Sequence, residues 1–319
     1  ALEALRPDRF GLVPAKLEAV SIIIPTAATT GADGRPLVEN AITACLATEV
    51  DELEVLLVVG DECQVDPAAL TTDPRVQVVR RPPGNWNFSA AINLGILRAS
   101  HPTVLVLNDD VELVETDWIA RMASHLADPT VGAVGALLLY PDLTCQHVGM
   151  VTDDAFPLHP HVGRTIEQLE AFDADLAHDR IAVTAACLLA RRADLLAVGG
   201  FCEELPFGFN DVDLCFKLHR MGLRIVVEPR ARLIHFESAS RPPVTRPWEW
   251  DHFVSRWGDV VDPWYHPAYH RPDDPNDRRR NADHLAPIQP YRSLPRTAVI
   301  RSRVHHARLR ATNPADGAS

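Results

Sequence analysis

No stretch of the 319-residue chain approaches the ~18–20 consecutive uncharged apolar residues that a membrane-spanning helix needs, and the first residues lack a basic-then-apolar signal pattern. Both absences point to a cytoplasmic protein. The six cysteines (Cys45, Cys63, Cys145, Cys187, Cys202 and Cys215) never form a CxxC pair, which excludes a zinc-ribbon or zinc-finger module and a dense disulfide scaffold. They read as buried thiols. A basic surplus is also lacking: 31 Lys and Arg stand against 43 Asp and Glu, a net charge of −12, so the body has no basic face for nucleic acid. No internal repeat is present. What remains is 46% hydrophobic and 23% charged, an ordinary globular composition, in a length that allows one large domain or two modest ones.

Residues 1–19 are mixed, with Pro7 and Pro14, and read as a leader packed on the outside of the first strand and its neighbours. Val20–Ile24 is a β-branched run that ends at Pro25-Thr26, before a Gly/Asp/Pro loop and a helical stretch at about 37–47. The pattern repeats in Glu54–Val59, Val76–Val79, a helix over Trp86–Ala99 and the buried strand Thr103–Leu107. Strands alternating with helices predict a mostly parallel sheet covered on both faces, an α/β fold whose ligands sit beyond the carboxyl ends of the strands. The second half adds strand-like runs at Val131–Leu139, Ile181–Ala190 and Leu223–Val227, and a helix at Asp211–Met221 capped by Asn210 and stopped by Gly222. From Pro242 onward prolines, tryptophans and histidines cluster, including His266, and residues 271–319 hold ten Arg against five Asp.

Three segments carry the chemistry. Asn108-Asp109-Asp110, ejected at the end of a buried strand, suits a hard divalent cation bridging to phosphate, although the same residues also suit a turn. Asp211 and Asp213 open a helix, where acids are favoured by the macrodipole whether or not they have a further role; in the functional reading Asp211 faces the cleft as a base and Asp213 serves the cap. His235 comes after a strand and a Pro229 turn, with Ser238, Ser240 and Arg241 close behind, a set suited to phosphate.

Taken in order, Val20-Ser-Ile-Ile-Ile-Pro-Thr26, Asn87-Phe-Ser-Ala-Ala-Ile-Asn93, Leu107-Asn-Asp-Asp110, Val134–Pro141 with Gln146-His147, Val183–Arg192, Gly199-Gly-Phe201, Phe209–Cys215 and His235–Arg241 resemble the family 2 inverting glycosyltransferases of GT-A fold, in particular their rhamnosyltransferase-like members. The resemblance spans about residues 20–241, which it marks as a catalytic domain, with 242–319 left as a Pro/Trp/His-rich segment and an extended basic tail. It implies that Pro25 and Thr26 contact the nucleotide and that Asp61 reads the base. The family's aspartate-any-aspartate motif falls on Asn108-Asp109-Asp110, with Asn replacing the first aspartate, so Asp110 is implied as metal ligand and Asn108 and Asp109 as donor contacts. His235 is implied to complete the metal site and Asp211 to be the catalytic base. Ala185 stands where the pattern usually has Gly.

The implied reaction moves a sugar from a nucleotide-sugar donor to an acceptor hydroxyl on a glycan, lipid-linked or small molecule, with Mg²⁺ or Mn²⁺ as cofactor. Two alternatives share parts of this reading. A nucleotidyltransferase would share sheet, nucleotide and cation, but residues 26–36 offer two glycines and only Arg35 where a glycine-rich basic loop is expected. A silent nucleotide-sugar-binding module would not need Asp110, Asp211 and His235. Residues 297–310 contain no acid and place Ile300, Val304 and Ala307 at helical spacing among arginines, which suits either contact with the inner face of a membrane or packing against the catalytic domain or a second copy in a homodimer.

Overall fold

The computed structural model describes residues 17–265 except 32, 33, 64, 154, 155, 173 and 237–245. The part of the expected leader before residue 17, the residues Ser238, Ser240, Arg241 and His266, and the basic segment 297–310 lie outside the described residues.

The first half is the predicted alternation: β1 (Ala19–Pro25), α1 (Val38–Leu46), β2 (Glu52–Val59), β3 (Val76–Arg80), α2 (Phe88–Arg98) and β4 (Thr103–Leu107). It continues with β5 (Val111–Leu113), α3 (Trp118–His125), β6 (Val131–Leu139), β7 (Cys145–His147), a small hairpin of β8 (Val151–Asp153) and β9 (Phe156–Leu158), and α4 (Ile166–Glu170). The last elements are β10 (His178–Arg180), β11 (Cys187–Arg191), α5 (Arg192–Ala197), α6 (Asn210–Arg220), β12 (Arg224–His235) and α7 (Pro247–Trp257).

The central sheet runs β10-β12-β6-β11-β4-β1-β2-β3, with β5 on β12 and β7 on β6. Four of the seven pairings along that path are parallel: β1 with β2 and β4, β2 with β3, and β12 with β6. The strands are continuously apolar because both faces are covered. Alternate residues of β1 divide between two cores: Val20, Ile22 and Ile24 meet α1 and α3 on one side, whereas Ile23 meets Ile92 and Ile96 of α2 on the other. There a Cβ on Gly95 would stand 2.4 Å from Ile23 Cγ2, so only glycine lets α2 approach β1 this closely.

Two local expectations change. The strand expected over 181–190 is confined to β11, and 181–186 form a bridge from Ala182 to Met150 and then a turn. Pro229 does not end its strand. β12 runs through it to His235, absorbing the proline at a register shift between Glu228 and Arg232, where a missing N–H costs no ladder bond. No helix among the described residues is long and apolar enough to cross a membrane.

Candidate active site

The first wall of the site is made by the ends of β1, β2 and β4. Thr26 is buried, and its hydroxyl donates to Asp109 Oδ2 at 2.5 Å while accepting from Ala28 N at 2.7 Å. Thr26 therefore fixes Asp109 against the end of β1, and its own oxygen is already engaged on both sides. Pro25 is the buried last residue of β1, and Asp61 is exposed in the turn after β2. Beside Asp61, Glu62 is paired with Arg81.

Asp110 and His235 are brought together by strand pairing. The short strand β5 lies antiparallel to the end of β12 with Val111 opposite His235, and Phe236 N donates to Asp110 O at 2.9 Å. His235 Nε2 consequently stands 3.1 Å from Asp110 Oδ1. Gln146 on β7 decides which ring nitrogen carries the proton: its Nε2 donates to His235 O at 3.2 Å, which leaves Oε1 facing His235 Nδ1 at 2.6 Å as the acceptor of Nδ1–H. In the neutral ring the proton is then on Nδ1 and the lone pair on Nε2, into which Asn108 Nδ2 points from 3.1 Å.

Two electron-rich atoms, Asp110 Oδ1 and His235 Nε2, thus face each other, and Oδ1 is buried with no hydrogen-bond partner. That is a donor set in want of a cation. Ligands each ~2.0–2.1 Å from a divalent ion and at right angles stand about 3 Å apart, so the pair fits neighbouring positions of one ion. Asp109 is held by Thr26 instead of joining this pair, and Asn108 adjoins it.

A single turn connects this half of the site to Asp211. Asn108 N donates to Ala186 O at 3.0 Å, and Ala185 N donates to Asp211 Oδ2 at 3.2 Å. Ala185 is absent from the residues with positive φ, so the turn makes this donation without needing glycine there. From the far side Thr184 N donates to His147 Nε2 at 3.3 Å, and His147 is held neutral, well below the usual histidine range, by burial and by neighbouring His159. Asp211 Oδ1 accepts from Val212 N at 2.8 Å. Burial nevertheless pushes the Asp211 carboxyl above the usual aspartate range, the bonds from Val212, Ala185 and Thr184 offsetting part of that rise.

Asp213 has a different environment. It is fully buried and its carboxylate meets Trp257 Nε1 at 2.8 Å, Arg256 at 2.8 Å and Lys217 at 3.1 Å. It serves α7 rather than the helix cap. The cap position is Phe209, in left-handed conformation at φ 61°, and Asn210 turns inward to Leu205 O. Removing one partner of a buried ion pair strands the others, so Asp213→Ala should cost ~3–5 kcal/mol of stability. Urea unfolding measures this; a loss below about 1 kcal/mol would contradict the structural role.

Sequence reasoning assigns no role to Gln146 or Glu249. Gln146 lies within one of the motifs that carry the resemblance but has no ionisable group to flag it. Glu249 on α7 is fully buried and its Oε1 accepts from Phe207 N and Gly208 N at 2.8 and 3.0 Å, holding the segment that leads into α6.

Residues 21–146 match the glycosyl transferase family 2 model. The chain is 34% identical over 262 residues to the O-antigen biosynthesis protein RfbC of Myxococcus xanthus, an alignment that covers 78% of this chain and only 20% of that protein. It is 26% identical over 243 residues to the N-acetylglucosaminyl-diphospho-decaprenol L-rhamnosyltransferase of Mycobacterium tuberculosis, covering 68% of this chain and 77% of that one. Among solved structures, GalNAc-T7 with UDP, GalNAc and Mn²⁺ superposes with a TM-score of 0.57 at 14% identity, over 76% of this chain and 49% of that one. Sequence and architecture agree that this chain carries a glycosyl transferase family 2 domain on a GT-A fold.

Proposed function

We propose that this domain transfers a sugar from a nucleotide-sugar donor to an acceptor hydroxyl with inversion at the anomeric carbon. The observation that carries this reading is the turn at 184–186, which ties the unpaired Asp110–His235 donor set, through Asn108, to the carboxylate of Asp211. Asp110 and His235 would hold Mg²⁺ or Mn²⁺, which when bound offsets the charge that develops on a departing nucleoside diphosphate. Pro25, Thr26, Asp61, Asn108 and Asp109 would line the nucleotide. Asp211 takes the proton from the acceptor hydroxyl as its oxygen bonds to the anomeric carbon and the bond to the diphosphate breaks. A carboxyl raised by burial binds a proton more readily than a solvated aspartate does, which suits that role.

The likeness to an O-antigen biosynthesis protein and to a transferase named for a lipid-linked acceptor supports a glycan or lipid-linked acceptor in polysaccharide synthesis. Cytoplasmic placement, with the basic segment 297–310 touching the inner membrane face, goes with that reading. Co-sedimentation with anionic vesicles should then fall when the chain is ended near Pro290; equal sedimentation of both forms would remove the membrane role.

The activity itself is tested by incubating the protein with UDP-, dTDP- and GDP-sugars with and without Mn²⁺ and following nucleoside diphosphate release. Release that needs both the cation and one class of sugar is expected. Pyrophosphate release from a nucleoside triphosphate and a sugar phosphate would instead identify a nucleotidyltransferase, and no turnover beside tight donor binding would identify a silent module.

A further inference from the structure

A second group of metal-ligating side chains lies apart from the Asp110–His235 pair, where the segment before α6 meets α7. Cys202 Sγ is 3.8 Å from His252 Nε2, and the same nitrogen is 3.1 Å from Glu204 Oε2. All three ligand atoms lie within 4.8 Å of one another, and no other group of three or more His, Cys, Asp or Glu ligand atoms is this close among the described residues. We propose that Cys202, Glu204 and His252 form a Zn²⁺ site that clips the segment carrying Cys202 and Glu204 to α7.

Ligand chemistry selects the metal. A thiolate with an imidazole favours zinc over Mg²⁺ or Mn²⁺, which prefer oxygen. Tetrahedral zinc with Zn–S ~2.3 Å and Zn–N ~2.0–2.1 Å places sulfur and nitrogen about 3.6 Å apart and nitrogen and carboxylate oxygen about 3.3 Å apart, close to the two separations seen. Glu204 is 74% exposed, so its side chain is free to adjust and solvent reaches the fourth position. Charge is also balanced. One thiolate and one carboxylate neutralise a dication, while Arg256 donates to Cys202 Sγ from 3.6 Å and has its own charge met by Asp213. An N–H aimed at sulfur favours the thiolate that zinc requires.

The site's position suggests what it does. Residues 202–208 would be fastened to α7 at both ends, by zinc at His252 and by Glu249 at Phe207 and Gly208, three positions before Asp211. Zinc would thus stiffen the approach to α6. This inference rests on the Cys202–His252 geometry and stands whether or not the sugar-transfer reading holds.

Cobalt(II) substitution tests it, because Asp110 and His235 offer only oxygen and nitrogen whereas Cys202 offers sulfur. Titrating the metal-stripped full chain with Co²⁺ should give a thiolate-to-cobalt charge-transfer band saturating at one equivalent, displaced by Zn²⁺, and zinc should raise the melting temperature. The band should vanish in Cys202→Ser, and in Glu204→Gln, an exposed change that leaves folding intact, zinc should bind at least ~10-fold more weakly by chelator competition. Absence of the band in the wild type, or its persistence in Cys202→Ser, overturns the site. Unchanged zinc affinity in Glu204→Gln would overturn the assignment of Glu204 as a ligand.

Discussion

Asp211→Asn should lower sugar transfer by at least ~10²-fold while leaving nucleotide affinity close to that of the wild type, since a lost general base typically costs ~10²–10⁴-fold. The amide keeps the shape of the carboxylate and can still accept from Val212 N or Ala185 N, so the turn that links it to Asn108 stays in place. What it loses is the capacity to take a proton. The pH profile supplies an independent check. A base works deprotonated, so the rate should rise with pH through the pKa of Asp211, and burial places that limb above the range of a solvated aspartate. The limb should disappear in the variant. Near-wild-type transfer by Asp211→Asn would move the base elsewhere, and Asp213 would not be the replacement, because its carboxylate is fully engaged by Trp257, Arg256 and Lys217.

That division of labour between two acids two residues apart marks the limit of what could be read from the chain alone. Both fall in the first turn of α6, where the macrodipole favours an acid, and nothing local separates them. The separation comes from α7, whose Arg256 and Trp257 capture one carboxylate and leave the other to the turn at 184–186. α7 itself is hidden in a proline- and tryptophan-rich stretch. Pro247 sits at its start, where a missing N–H is harmless, and Phe253 and Trp257 bury themselves in the core shared with α6.

The strands of the first half are legible because continuous β-branched runs have few other uses, and β4 falls on the predicted residues Thr103–Leu107. The approach of Asp110 to His235 is legible only through the resemblance. It depends on a three-residue strand pairing with the far end of a twelve-residue one, 124 residues later by the register Val111 to His235. Neither strand length nor register has a local signature, and the proline within β12 argues locally for a break that tertiary pairing overrides.

Asp110→Ala and His235→Ala should each weaken Mn²⁺-dependent nucleoside diphosphate binding by at least ~10-fold and lower transfer with it, because both are assigned to one cation. Their lone pairs conflict where Asp110 Oδ1 and His235 Nε2 stand 3.1 Å apart. If a cation resolves that conflict, removing either side chain removes half of the donor pair, and metal-independent nucleotide contacts should survive. Gln146 sharpens the test. It touches no phosphate in this reading and acts only by holding the proton on His235 Nδ1, so Gln146→Ala should cost ~10–100-fold in cation affinity, the range for a group that orients a metal-bound histidine. Gln146→Glu keeps an acceptor opposite Nδ1 and should restore much of that loss. Isothermal titration of nucleoside diphosphate at fixed Mn²⁺, repeated in excess chelator, separates the contributions. The assignment fails if the wild type binds and transfers equally well in chelator. It fails for His235 alone if His235→Ala keeps full cation dependence while Asp110→Ala loses it, because Asp110 would then hold the ion without the imidazole.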